Sequence, residues 1–156
     1  MRKQKGFSLI ELLIVVAIIL IIAAIAIPNL LRSRMAANEA SAVGSLRTIN
    51  TAEVTYSSTY GNGFGDLGQI GSPAGTCTAA SSSACLIDSV LTLGQKSGYT
   101  FLITPGSGTP PQTYVVTGIP ITVGSTGQRA FFTDESGVIR FNTTGATPTV
   151  SDNPLQ

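Results

Sequence analysis

A long apolar run lies near the start of the chain and is followed by a helical pattern and then by short β-type segments. Positions 12–27 are all apolar, and Ser8 and Glu11 are the polar residues of the stretch that leads into them from Phe7. From Phe7 to Ile27 a helix covers about 30 Å at ~1.5 Å per residue, the thickness of a bilayer core. The pattern therefore predicts a membrane-length helix at residues 7–28.

A second helical pattern occupies residues 29–57. Because Pro28 cannot donate a hydrogen bond to the Ala24 carbonyl, we expect a kink there, with Asn29 as a candidate N-cap. The helix is still predicted to continue to about Tyr56, because apolar residues recur at three-, four- or seven-residue steps. They form one core-facing stripe: Met35, Ala42, Leu46, Ile49, Tyr56 and Tyr60. Several polar residues fall mostly off it: Arg32, Glu39, Arg47 and Asn50.

Residues 58–98 are rich in Gly and Ser and predict a long, irregular connection. This segment contains both cysteines of the chain, Cys77 and Cys85. A zinc site normally needs more thiols or His partners, and the sequence has no His. A disulfide between the two is the better interpretation if this part of the chain lies outside the cytoplasm.

Residues 99–142 predict a small antiparallel sheet, followed by a C-terminal tail at 143–156. Short β-branched and aromatic segments separated by turn formers lie at 99–104, 112–118, 129–133 and 138–142. The segment 119–123, interrupted by Pro120, predicts an edge strand or an extended loop. Short links, such as 134–137, favour an antiparallel meander.

Composition and charge narrow the possible chemistry. Charged residues make up 11% of the chain, against roughly 25% in typical soluble domains. If Arg2, Lys3 and Lys5 are removed with an N-terminal leader, the remaining chain has six basic and eight acidic residues. This balance argues against a specific nucleic-acid interface. Without His, the usual general base near neutral pH is missing. Asp134 and Glu135 could be calcium ligands, but adjacent acids in a strand–turn–strand are usually solvated turn residues.

Three interpretations of the N-terminal run compete. It can be a secretory signal peptide cut after Ala26, a plain single-span anchor, or a run that stays in the mature protein after a short leader is removed. Glu11 helps to decide, because a carboxylate in an apolar span costs up to a few kcal/mol unless it has a partner or lies near the interface. A cut between Gly6 and Phe7 creates an amine one helical turn before Glu11. A carboxylate at the bilayer edge, or at the helix N-terminus, remains the alternative.

The segment Lys5-Gly6-Phe7-Ser8-Leu9-Ile10-Glu11, continued through the apolar run to Pro28, resembles the N-terminus of type IV prepilins and type II secretion pseudopilins. The resemblance implies that a prepilin peptidase removes residues 1–6 by cutting after Gly6 and methylates the new amine of Phe7. It also implies that Glu11 sets the register between subunits. The implied fold is α+β, with a long kinked N-terminal helix packed on a small antiparallel sheet.

The function implied by this resemblance is that of a structural subunit of a type IV pilus, with no enzymatic activity and no cofactor. Its partners would be copies of itself, the prepilin peptidase, an inner-membrane assembly platform and the membrane. The chain would first cross the inner membrane once, with its C-terminal part outside the cytoplasm, and then enter an extracellular filament. A pseudopilin of a type II secretion system is the nearest alternative. A membrane-anchored enzyme or binding domain is a more distant one.

Overall fold

The structure, a computed structural model, describes residues 6–72 and 75–155. Contacts divide the chain into two compact units, Met1–Arg34 and Met35–Gln156, and one helix, α1 (Leu9–Tyr60), contributes residues to both. Of the predicted leader, Gly6 is described and residues 1–5 lie outside the described part of the chain. Two residues of the predicted connection, Pro73 and Ala74, also lie outside it.

In the first unit, α1 presents apolar side chains to its surroundings. All residues at 12–27 are exposed except the half-buried Ala23. Pro28 lies inside the helix, which does not begin again at Asn29, so the prediction of an N-cap at Asn29 is wrong. A proline removes one hydrogen bond of a helix, and the bonds of the adjacent turns can continue on both sides of it. The kink at Pro28 stays a prediction.

In the second unit, α1 buries the face that its apolar spacing predicts. Ala42, Leu46, Ile49 and Tyr56 are buried. Met35 and Tyr60, at the two ends of the predicted stripe, are half-buried. The helix ends at Tyr60, four residues beyond the predicted end, because Gly61 with φ 66° adopts the left-handed conformation that closes many helices.

The sheet of the second unit has six strands in the order of the sequence, and every neighbouring pair is antiparallel. The strands are β1 (Gln95–Lys96), β2 (Tyr99–Pro105), β3 (Tyr114–Pro120), β4 (Ala130–Asp134), β5 (Arg140–Asn142) and β6 (Asn153–Pro154). This arrangement confirms the α+β fold with a long N-terminal helix and an antiparallel meander.

One face of the sheet packs into the core with the second half of α1. Along β2 buried and exposed residues alternate, so that Tyr99, Phe101 and Ile103 point to the same face. Phe101 pairs with Gly118 across the strands, and a Cβ at Gly118 would lie 3.2 Å from the Phe101 ring. Glycine at this position therefore lets the Phe101 ring approach the backbone of β3 closely. Phe131 on β4 completes this row of the core.

The predicted irregular connection at 58–98 is more ordered than its composition suggests. It contains two one-turn helices, α2 (Leu67–Ile70) and α3 (Ser89–Thr92), as well as strand β1. Asp66 and Asp88 cap the two helices by accepting hydrogen bonds from backbone N–H groups. Ile70 and Leu91 are fully buried, because these turns bring apolar side chains back to the core. The irregular connection predicted from the sequence therefore contains regular elements that its composition did not indicate.

Two predictions near the end of the chain are also corrected. The predicted tail at 143–156 includes β6, which pairs with β5, and Leu155 donates its N–H to the Ile139 carbonyl at 2.7 Å. The segment 119–123 was predicted as an edge strand or an extended loop, but Ile119 and Pro120 complete the interior strand β3, and only residues 121–123 lie outside the six strands. Pro120 is tolerated there because it is the last residue of that strand.

Candidate functional site

The start of α1 carries the residues of the predicted processing site. Gly6, Phe7 and Ser8 precede the helix, and the first helical hydrogen bond in this region runs from Leu12 N–H to the Ser8 carbonyl. The peptide bond between Gly6 and Phe7 therefore lies outside the hydrogen-bonded turns. Phe7 is 86% exposed, so its side chain does not pack against the described part of its own chain.

Glu11 faces the N-terminal end of its own helix. Its Oε2 atom accepts a hydrogen bond of 2.9 Å from the backbone N–H of Ser8. Because a helix N-terminus has unpaired N–H groups and a partial positive charge, this contact stabilises the first turn. A cut after Gly6 would create an ammonium group on Phe7, the residue before Ser8. Within one chain, Glu11 is thus already directed to the end of the helix where that amine would form, and pairing between subunits stays a prediction.

The apolar surface of α1 is the second property of this site. Of the described helices, α1 alone is long and apolar enough to cross a membrane, by length and composition, with a mean hydropathy of 3.3 in its most apolar window. None of that window is buried against the protein. Signal sequences share these properties. The length and composition of the helix therefore do not distinguish a signal sequence from a retained helix, and the residues around Gly6 and Glu11 are needed for that distinction.

A partly buried ion pair joins the second half of α1 to the residues that precede β4, within the second unit. Glu39 accepts three hydrogen bonds, from the backbone N–H groups of Gln128 (2.9 Å) and Arg129 (3.1 Å) and from Arg129 Nε (2.7 Å). The Arg129 guanidinium also stacks 5.5 Å from the ring centres of Phe131 and Phe141. Burial alone would raise the pKa of Glu39, but the backbone hydrogen bonds and Arg129 outweigh it and lower that pKa.

A polar network crosses from α1 to the sheet further along the helix. The Tyr114 hydroxyl donates to Asn50 Oδ1 at 3.2 Å, and Asn50 Nδ2 donates to Thr133 Oγ1 at 3.0 Å. Burial, together with the nearby carboxylates of Glu53, Asp134 and Glu135, raises the pKa of Tyr114 to about 12. The phenol therefore stays neutral at physiological pH and acts as a structural hydrogen-bond donor.

Glu53 is the most deeply buried charged residue that the structure describes. Its side chain is fully buried, and Oε2 accepts a hydrogen bond of 2.9 Å from the Gly65 N–H. Oε1 is also buried and has no hydrogen-bond partner among the described residues. Glu39 and Glu53 were not recognised as core-facing residues from the sequence, since a charged residue inside an apolar stripe normally marks a solvated position.

The predicted disulfide between Cys77 and Cys85 is confirmed, with the two Cα atoms 6.0 Å apart. It closes a loop that is also fastened to α1, because the Tyr56 hydroxyl donates to the Ser81 carbonyl at 2.6 Å. Asp134, one of the two acids considered as calcium ligands, instead accepts hydrogen bonds from the backbone and side chain of Ser136. Among the described residues no group of three or more His, Cys, Asp or Glu could hold a metal ion.

Comparison with known proteins places the similarity at the N-terminal end. A family model described as the prokaryotic N-terminal methylation motif matches residues 1–27. The type IV wide pilus major component PilA4 of Thermus thermophilus is 67% identical over 39 residues, which are 25% of this chain and 30% of that protein. The type IV major pilin protein PilA of Myxococcus xanthus is 44% identical over 54 residues, 35% of this chain and 24% of that protein.

These matches confirm the resemblance to type IV pilins over the prepilin-type N-terminal segment. The segment includes Gly6, Phe7 and Glu11, and the α+β fold behind it has the long N-terminal helix and antiparallel sheet that the resemblance implies. The chain spans less than a third of the length of either curated relative. No solved structure matches the chain.

Proposed function

We propose that the chain is a structural subunit of a type IV pilus, and that it acts by polymerisation rather than by catalysis. The observation that carries this proposal is the methylation motif over residues 1–27, whose helix continues as an exposed apolar surface. The similarity to two type IV pilins extends across the same segment. Adhesion, twitching motility and DNA uptake are the activities that such a filament would serve.

The chemistry of assembly follows from the exposed helix. A surface of this kind is stable in lipid, or in contact with equally apolar helices of other copies, and is unfavourable in water. Removal of residues 1–6 by a prepilin peptidase would take Arg2, Lys3 and Lys5 from the end of the helix and leave a methylated amine on Phe7. In the apolar interior of a filament that amine and Glu11 of a neighbouring copy would form a buried ion pair that fixes the register.

The proposed location changes during this process. Before assembly the helix would hold the subunit in the inner membrane, with the sheet-containing unit outside the cytoplasm, where the Cys77–Cys85 disulfide can form. After assembly by an inner-membrane platform the subunit would lie in a filament on the cell surface. A type II secretion pseudopilus would use the same assembly chemistry, but the two relatives are described as pilus components, which favours the pilus.

The experiment that tests this proposal is mass spectrometry of the chain extracted from membranes that contain a prepilin peptidase. We expect a mature polypeptide that begins at Phe7 and carries one N-methyl group, whereas membranes without the peptidase should yield the full precursor. A chain cut after Ala26 would show that the apolar run is a signal peptide. A chain that retains Met1–Gly6 in the presence of the peptidase would show a plain membrane anchor. Either result would contradict the proposal.

A further inference from the structure

Glu53 holds a short segment of the helix-to-sheet connection in place. Residues 61–66, called the latch segment below, follow the end of α1 and precede α2. The Gly65 N–H of this segment donates to Glu53 Oε2 at 2.9 Å, and the Phe64 N–H donates to the Pro111 carbonyl at 3.0 Å. The Phe64 ring also packs on the Tyr114 ring, with 4.6 Å between their centres.

The latch segment fits closely at these contacts. Gly63 has φ 73°, in the left-handed region, and the Pro111 backbone lies directly against the position where a side chain would begin. Gln69 and Tyr56 similarly lie 3.1 and 3.2 Å from the position that a Cβ on Gly65 would occupy. A segment packed in this way leaves little room for water beside the Glu53 carboxyl. Oε1 has accordingly no partner among the described residues and is buried.

The charged surroundings of Glu53 are unfavourable for a carboxylate. Asp66, from the connection, acts on Glu53 with a second negative charge. Tyr114, from β3, is neutral and is itself near Asp134 and Glu135. The ion pairs of the described residues are Lys96–Asp88 and Arg129–Glu39, so that Glu53 has none there. An ionised carboxyl at this place would be a buried charge without a counter-ion, which is strongly unfavourable.

We propose that Glu53 is a pH-dependent latch, which holds residues 61–66 on the sheet when its carboxyl is neutral and releases them when the carboxyl is ionised. In the neutral form Oε2 can remain the acceptor for the Gly65 N–H, while the proton on Oε1 removes the uncompensated charge. In the ionised form the charge is relieved when the segment opens and water reaches both oxygens. The latch belongs to the second unit and does not depend on filament assembly.

The direction of the pH dependence follows from the environment. Burial, only partly offset by the Gly65 hydrogen bond and reinforced by Asp66, raises the pKa of Glu53 from 4.5 to about 7. The closed form thus binds more protons than the open form between these two values. The contribution of Glu53 to the stability of the closed latch segment is fully present below pH 4.5. It is lost as the pH rises through about 7.

Hydrogen exchange of the full chain in detergent micelles tests the latch. The Gly65 and Phe64 amides report on the segment, and the Phe101 N–H, which donates to the Gly94 carbonyl at 2.7 Å, reports on the sheet edge. After correction for intrinsic exchange, the opening equilibrium of the segment should be roughly 30-fold larger at about pH 8.5 than at about pH 5.5. The Phe101 amide should show a much smaller change.

The control variant is Glu53→Gln, which keeps a carbonyl acceptor for the Gly65 N–H but cannot ionise. Its latch segment should be protected to the same degree at both pH values. If Glu53→Gln does not fold, the pH series of the unmodified chain decides alone. Protection of Gly65 that does not change with pH would overturn the proposal. An equal change at Gly65 and Phe101 would also overturn it, because Glu53 would then act on the whole fold and not on the segment.

Discussion

Replacement of Glu11 by Val should leave the precursor fully processed and yet remove almost all filaments. In the proposed mechanism the peptidase would act on the bond after Gly6, which lies outside the helical turns, whereas the Glu11 carboxylate would be required only when Phe7 amines become buried among other helices. Removal of one partner of a buried ion pair typically costs about 3–5 kcal/mol, because the other charge is left unpaired. For each added subunit this corresponds to a loss of roughly 100-fold or more in the assembly equilibrium.

The measurement for Glu11→Val combines the mass of the mature N-terminus with the amount of filament sheared from the cells. Ser8→Ala is the matched control, because Ser8 contacts Glu11 through its backbone N–H, which alanine retains. The control should assemble normally. Wild-type amounts of filament from Glu11→Val would exclude a registration role and leave Glu11 as a cap of its own helix.

Replacement of Glu39 by Ala should cause a large loss of stability in the sheet-containing unit. Three hydrogen bonds disappear together, and the Gln128 and Arg129 N–H groups lose their acceptor. Because the Arg129 side chain is 37% exposed, water can solvate part of its charge. We therefore expect a decrease of about 2–4 kcal/mol in the free energy of unfolding, measured by urea denaturation of the full chain in detergent.

Two variants make the Glu39 result specific. Glu39→Gln keeps an oxygen acceptor and should lose less, and the exposed Glu135→Ala should change the free energy by less than about 0.5 kcal/mol. Because the pKa of Glu39 is lowered in the folded state, its contribution is present above the ordinary value of 4.5 and is lost as the pH falls through the lowered pKa. The difference between Glu39→Ala and the unmodified chain should therefore shrink in strong acid. A constant difference would contradict the ionic contribution.

The elements that the sequence predicted well are those with strong local periodicity. The 12–27 run has no polar residue, so its helical, membrane-length character follows from composition alone. In the sheet, short β-branched and aromatic segments between turn formers predicted four strands within two residues of their observed ends, for example 99–104 against Tyr99–Pro105. Such segments can be recognised because β-branched and aromatic residues favour strands, and the turn formers between them mark where each strand ends.

Glu39 and Glu53 were missed because charge was given more weight than spacing. The apolar stripe of α1 has two seven-residue steps, from Met35 to Ala42 and from Ile49 to Tyr56. Glu39 and Glu53 lie inside these steps at helical spacing, and both are buried. A carboxylate at a core position needs a partner or a proton, and neither Arg129 nor the Gly65 N–H could be located from local sequence. These contacts join residues that are distant along the chain.

The two short helices in the connection between α1 and the sheet were not predicted, for a different reason. Its Gly and Ser content is typical of loops, but Asp66 and Asp88 each precede a short helical turn that they cap. Turns of four residues have too little periodicity to be recognised by spacing. They are stabilised mainly by the burial of Ile70 and Leu91 in a core formed by distant elements.

The protein composition of surface fibres shows whether the chain polymerises through α1. Fibres sheared from cells that express the chain should contain it as a repeated subunit that begins at Phe7, and cells with the gene deleted should lack that subunit. The contrary result would be fibres of normal abundance without this polypeptide, while the chain remains monomeric in the membrane with residues 1–6 attached.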